Sequence, residues 1–352
     1  MQSLQSNALE PTRSELAKLG PVERLMRMVP VYGLPLLTLG LIIVFSILLP
    51  DTFPTALNAR SILSDKAVIA MLSLSAMLPM IAGRIDLTVG YGIVLWHVAA
   101  ITLQVTYGWS WPAAVAVTLL GGLISGLING LLVEVAQIDS FIATLGTGTI
   151  MYALANWHTG GRQIMGVLPD GFKAINATWV PGLPDWQGVP IGALYVLALA
   201  IVLWLITERL PLGRYLYAIG ANAKAASLNG IPVRAYVIGV FVASGLLTSF
   251  TGVLLASKLR IGQSSVGLDY LLPALVGAFL GSTTIKPGRV NVWGTLVGVL
   301  ILAVGISGIQ QFGASFFVEP LFNGATLIVA IGIAGYAQRR RSAARRSKDS
   351  GS

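Results

Sequence analysis

Ten stretches of predominantly apolar residues follow one another along this chain, at 31–50, 66–82, 86–107, 111–135, 140–157, 190–207, 235–256, 270–285, 290–311 and 319–337. A helix needs about 20 such residues to cross roughly 30 Å of hydrocarbon, so most of these stretches have the length of a membrane span. The pattern predicts an all-α polytopic membrane protein of about ten transmembrane helices. The stretch 270–285 is short for a full crossing, and 66–107 also reads as one interrupted unit, which would leave nine. Only 11% of the 352 residues are charged, too few to cover a water-soluble domain of this length.

Lysine and arginine set the orientation. With the amino terminus inside, seventeen fall on cytoplasmic segments, among them Arg84, Arg209, Arg214, Lys224, Arg234, Lys286 and Arg289. Six fall outside, at Arg60, Lys66, Arg162, Lys173, Lys258 and Arg260, and acidic residues such as Asp65, Asp170 and Glu319 balance them. Both termini are therefore expected in the cytoplasm. Residues 1–30 form an amino-terminal segment whose lack of an early apolar core argues against a cleaved signal peptide, 31–337 the transmembrane domain, and 338–352 a basic tail suited to anionic lipid. The net charge of +9 is thus a membrane-orientation signal, and nucleic acid is not an expected partner. The chain has no cysteine, which excludes disulfides and thiolate metal sites.

Two connections are long. The external loop 158–189 is rich in glycine and proline and carries Trp179 and Trp186, as befits loop or interfacial helix. The cytoplasmic loop 208–234 holds a short helix with punctuation at both ends: Asn222 as N-cap, Ala223 to Asn229 as the body, Gly230 after the last turn and Pro232 to stop it. So few residues do not hold a helix in water, because nucleation costs more than a handful of hydrogen bonds return. Its small-residue face, Ala223, Ala225, Ala226 and Ser227, suits a partner's groove; the alternative is packing against its own membrane domain.

Within the spans, Gly122, Gly126 and Gly130 recur at helical spacing, as do Gly277 and Gly281, and Gly294 and Gly298. Such positions let helix backbones approach in lipid. A segment beginning at Leu78, LPMIAGRIDLTVG, is echoed from Leu275 by LVGAFLGSTTIKPGRVNVWGTLVG, each a span, a polar turn and a glycine-interrupted next span.

No enzyme constellation is present. The sequence contains no G-x-x-x-x-G-K-[ST] loop and no metal-ligand spacing, so neither a cofactor nor a metal is expected in this chain. His97 lies mid-span, where a hydrogen-bonded packing role is expected. Arg84 and Asp86 form the most unusual polar cluster; Asp86 is placed to cap the next helix if the span is broken there. Glu134 and Asp139 sit at a span end, where interfacial solvation is expected.

Several stretches resemble the ribose-type permease family of bacterial ABC sugar importers. GRIDLTVG (Gly83–Gly90) is similar to that family's G-G-I-D-L-S-V-G. NGLLVEVAQIDSFIATLGTGTIMYALANWHTGGR (Asn129–Arg162) is similar to its N-G-L…I-x-x-F-I-x-T-L-G-x…T-G-G-R block. YAIGANAKAASLNGI (Tyr217–Ile231) resembles its Y-A-I-G-x-N-x-x-A-A-x-x-x-G-I segment, and GLDYLLPALVGAFLGSTTIKPGRVNVWGTLVG a later block of the same family. The resemblance implies a permease that pairs with a second permease copy, binds two cytoplasmic ATPase subunits and receives solute from a periplasmic solute-binding protein, with ATP used by the partner subunits. The helix Asn222, Ala223, Lys224, Ala225, Ala226, Ser227, Leu228, Asn229 and Gly230 would be its coupling helix. Arg84 replaces the second glycine of the family pattern. Gly262, Gln263, Ser264 and Ser265 stand in a stretch that varies with substrate branch, so a pentose, a hexose or a sugar alcohol each fits.

A path for such a solute calls for hydrogen-bonding groups rather than fixed charges. Asp86, Asn129, Thr144, Thr147, Asn156, Ser244 and Thr248 are the candidates, with Ser125, Thr149, Ser249 and Thr251 as further hydroxyls that would also bond back to their own helices. The rival reading is an ion-coupled secondary transporter, which would need titratable groups near the midplane; beyond His97, Arg84 and Asp86 the spans offer few.

Overall fold

A computed structural model describes residues 21–177, 179–180, 188–315, 317–328 and 332. Thirteen named helices follow one another: α1 (Pro21–Leu48), α2 (Ala56–Asp65), α3 (Ala67–Ile81), α4 (Thr88–Val105), α5 (Trp111–Glu134), α6 (Ser140–Thr159), α7 (Asp170–Ala177), α8 (Ile191–Trp204), α9 (Pro211–Ala221), α10 (Ala223–Leu228), α11 (Val233–Leu259), α12 (Leu268–Leu280) and α13 (Val292–Gln311). A π-helical turn, Leu205–Arg209, extends α8, and residues 318–328 are helical again. The only strands among the described residues are β1 (Trp179–Val180) and β2 (Val189–Pro190), an antiparallel pair with Trp179 opposite Pro190. The molecule is thus an all-α polytopic membrane protein with one small clasp in the loop 158–189.

Among the described residues, six helices are long and apolar enough to cross a bilayer: α1, α4, α5, α8 with its π turn, α11 and α13. A seventh arises if α2 and α3, bent by 41° at their junction, form one span. The remaining expected spans differ for local reasons. α3 and α12 stop after 15 and 13 residues because polar breaks follow them, at 82–87 and 281–291. α6 has the length, but Thr144, Thr147, Thr149, Asn156 and His158 dilute its apolar character. The expected span 319–337 is described only as far as the helix 318–328 and residue 332. At the other end α1 starts at Pro21, so helix reaches into the expected amino-terminal segment. Residues 1–20 and the basic tail 338–352 lie outside the described residues.

The core is built around α3. Every one of its residues except Met80 is buried, as expected of a helix that is apolar all round. Its main neighbours are α11, α12, α13 and α8. Gly122, Gly126 and Gly130 of α5 face α11: a methyl group on Gly126 would sit 2.3 Å from the Phe241 carbonyl oxygen, and one on Gly122 would sit 2.1 Å from Ser249 Oγ. Helices that have lipid rather than water as the alternative gain little from the hydrophobic effect, so this backbone contact provides the packing. The loop 158–189 is tied down as well, with Phe172 fully buried against Ile101 and Val253, and Ser257 Oγ donating to its carbonyl at 2.9 Å.

The echo seen in the sequence has a structural counterpart. Each break contains a glycine in the left-handed region a few residues before the next helix, Gly83 at φ +74° and Gly288 at +87°. Each ends on a side chain that receives a backbone N–H of that helix: Asp86 accepts from Thr88 N at 2.9 Å, and Asn291 from Gly294 N at 2.8 Å. Arg84 and Arg289 occupy matching places between them.

Candidate functional site

A break in a spanning helix exposes backbone groups that hydrocarbon cannot satisfy, so something else must. After α3 the chain turns at Gly83, and α6 supplies partners for the next amides. Ile85 N donates to Ser140 Oγ at 3.2 Å and Leu87 N to Thr144 Oγ1 at 3.0 Å. Asp86 turns inward. One carboxylate oxygen accepts from the amide and hydroxyl of Thr88, and the other accepts from Ser244 Oγ at 2.7 Å. Ser75 Oγ donates to the Ser244 carbonyl at 2.8 Å and lies 3.1 Å from Thr248 Oγ1. On the other flank Asn129 Nδ2 donates to Thr88 Oγ1 at 3.2 Å, and Thr147 Oγ1 donates to Asn129 Oδ1 at 2.6 Å. One polar network thereby joins α3, α4, α5, α6 and α11 around the break.

The structure brings together six of the seven residues proposed for a solute path. Asp86, Ser244, Thr248, Asn129 and Thr147 share the network, and Thr144 caps the break's backbone. Asp86, Asn129, Thr144, Ser244 and Thr248 are at most 2% exposed, so in this conformation they bond one another. Asn156 is elsewhere, accepting from Ser264 Oγ at 2.9 Å, with Thr159 Oγ1 donating to the same Ser264 hydroxyl at 3.2 Å. Ser125, Thr149, Ser249 and Thr251 each bond a carbonyl of their own helix. His97 is a packing residue: Gln263 N donates to its Nε2 at 3.2 Å, while Nδ1 faces the Val94 carbonyl at 3.3 Å.

One expectation is corrected, and the Arg84–Asp86 cluster resolves into separate contacts. Arg84 does not pair with Asp86; its Nη2 donates to Glu134 Oε1 at 2.8 Å and its Nε to the same oxygen at 3.2 Å. Glu134 is accordingly buried rather than solvated at the interface, with only 4% of its surface exposed. Arg84 thus reaches α5, while Asp86, two residues on, reaches Ser244 of α11. Ser75, Thr88 and Ser140 are network members that sequence reasoning missed. Thr88 alone carried a signal, as the first residue of the helix that Asp86 caps.

The short helix α10 forms as its punctuation predicts. Asn222 Oδ1 accepts from Ala225 N at 3.0 Å, and Gly230 takes φ +81°. Its faces divide differently from the expectation. Ala226 points into the subunit core, whereas Lys224, Ala225, Ser227 and Leu228 face outward, Leu228 with 82% of its surface exposed. The small-residue face is therefore split, with Ala226 seating the helix and Leu228 standing free.

The family described as branched-chain amino acid transport system, permease component, matches residues 58–331. The chain belongs to this permease family. The permease is 30% identical over 298 residues to the ribose import permease protein of Bacillus subtilis, a match covering 84% of this chain and 90% of that protein. It is 32% identical over 309 residues to the autoinducer 2 import system permease protein of an Enterobacter species (84% and 90%), and 28% identical over 340 to the xylose transport system permease protein of Escherichia coli (81% and 86%). These relatives agree with the resemblance carried by the GRIDLTVG and YAIGANAKAASLNGI segments of the permease. No solved structure matches it.

Proposed function

We propose that this permease is the membrane-spanning subunit of an importer that carries a monosaccharide or sugar alcohol across the bacterial inner membrane, driven by separate ATPase subunits and fed by an external solute-binding protein. The observation that carries the reading is α10. It is too short to persist alone, it is held from one side by Ala226, and it offers Leu228 and Lys224 on the other, as a docking helix for a groove in an ATPase must. The relatives named for ribose and xylose support the solute class. In this reading the membrane is crossed ten times, with α3 and α12 as short crossings completed by their polar breaks. Both termini and α10 lie in the cytoplasm, as the distribution of lysine and arginine requires, and a second permease copy completes the path. Solute would pass the Asp86 network only when the break moves, since its groups are mutually satisfied here.

The test is uptake by proteoliposomes holding the permease, its ATPase and its binding protein, with and without ATP. Leu228→Glu is expected to cut ATP-driven uptake by at least about tenfold, because a charge would be buried in the groove, while the thermal midpoint of the isolated permease stays unchanged. Undiminished uptake in that variant would remove the docking role. Uptake by the permease alone that an ionophore abolishes would favour ion coupling instead.

A further inference from the structure

Helix α9 leads directly into α10, with only Asn222 between them. Two of its residues, one turn apart on the same face, touch the two broken spans. Tyr217 reaches the second break: its hydroxyl donates to the Val290 carbonyl at 2.8 Å, and the Arg289 guanidinium lies over its ring, 5.2 Å from the centre. Gly220 lies against the first break: a Cβ there would stand 2.1 Å from the Ile81 carbonyl oxygen and 3.3 Å from Gly83 N. Between them Ile219 and, one turn earlier, Leu216 are buried, which fixes α9 in the core. At the start of α9, Gly213 presses on the Thr207 backbone, and the neighbouring Glu208 pairs with Lys286 of the second break. Burial, and then the Glu208 carboxylate, push the Tyr217 phenol well above its ordinary pKa, so it stays protonated as a donor.

We propose that α9 is the rod that transmits motion of α10 to both breaks at once, with Tyr217 and Gly220 as its positioning residues. The proposal rests on the docking reading of α10. The two contacts differ in kind. The backbone contact at Gly220 resists approach, and the Tyr217 hydrogen bond resists separation, so displacement of α9 in either sense is felt at a break. Packed interiors deform little, so a displaced rod shifts the caps at Asp86 and Asn291 rather than being absorbed. A helix that merely sealed the end of the bundle would need contact with the breaks but no hydrogen bond to one and no glycine against the other.

The experiment measures solute imported per ATP hydrolysed in the reconstituted complex for Tyr217→Phe, Gly220→Ala and Leu228→Glu. Tyr217→Phe keeps the ring and its packing. It is expected to leave ATPase assembly and hydrolysis in place while the transport ratio falls about three- to tenfold, the change one neutral hydrogen bond supports. Gly220→Ala, which forces a methyl onto the Ile81 carbonyl, is expected to uncouple at least as strongly. A Leu228→Glu that disrupts assembly together with a fully coupled Tyr217→Phe overturns this proposal alone, as does a Tyr217→Phe in which hydrolysis and uptake fall in parallel. A Leu228→Glu without effect overturns the docking reading and this proposal with it.

Discussion

Removing the Asp86 carboxyl would leave the Thr88 amide, the Thr88 hydroxyl and the Ser244 hydroxyl without their acceptor in the interior. Stranded donors of this kind cost about 1–3 kcal/mol each, less whatever they recover from one another, so Asp86→Ala is expected to lower stability by about 3 kcal/mol. Asp86→Asn keeps one acceptor oxygen and is expected to cost roughly 1 kcal/mol. Denaturation of the purified permease in detergent, followed by tryptophan fluorescence, measures both; equal losses in the two variants would contradict the acceptor role. The capping role of Asp86 was legible in the sequence because a carboxylate just ahead of an apolar run has few better uses. The partner of Arg84 was not. Arg84 and Asp86 look like a pair on paper, but the charge that meets Arg84 is Glu134, and which of two neighbours faces it depends on how the break turns at Gly83.

The α5–α11 contact is the packing claim most open to test at the level of elements. A side chain on Gly126 has no space beside the Phe241 carbonyl, and since that neighbour is backbone, relief requires moving a helix. Gly126→Leu is expected to destabilise the bundle by about 3 kcal/mol or more, read as a lowered thermal midpoint in detergent; an unchanged midpoint would place this glycine in lipid. Spacing alone revealed that stripe, because a helix repeats its face every three to four residues. It also revealed both ends of α10, since Asn222 and Gly230 act locally. It did not reveal which face of α10 turns inward: Ala223, Ala225, Ala226 and Ser227 are alike in size, and only the neighbouring core selects Ala226. The spans at 66–82 and 270–285 were likewise found as apolar runs, the second already as short for a crossing, but the groups that satisfy the first break were hidden, because they belong to α6, more than fifty residues away.

For the whole molecule, the structure joins two broken helices, both met by one face of α9, to a capped stub that offers Leu228, and the family match places this arrangement in a transport permease. Everything proposed for its action requires that α10 lie on the side where ATP is available. The chain has no cysteine, so a single Lys224→Cys gives one exposed thiol on α10. Labelling that thiol with a membrane-impermeant maleimide in right-side-out and in inverted vesicles tests the claim most directly. The account predicts labelling in inverted vesicles only, blocked when the ATPase is bound; labelling of intact right-side-out vesicles would contradict it.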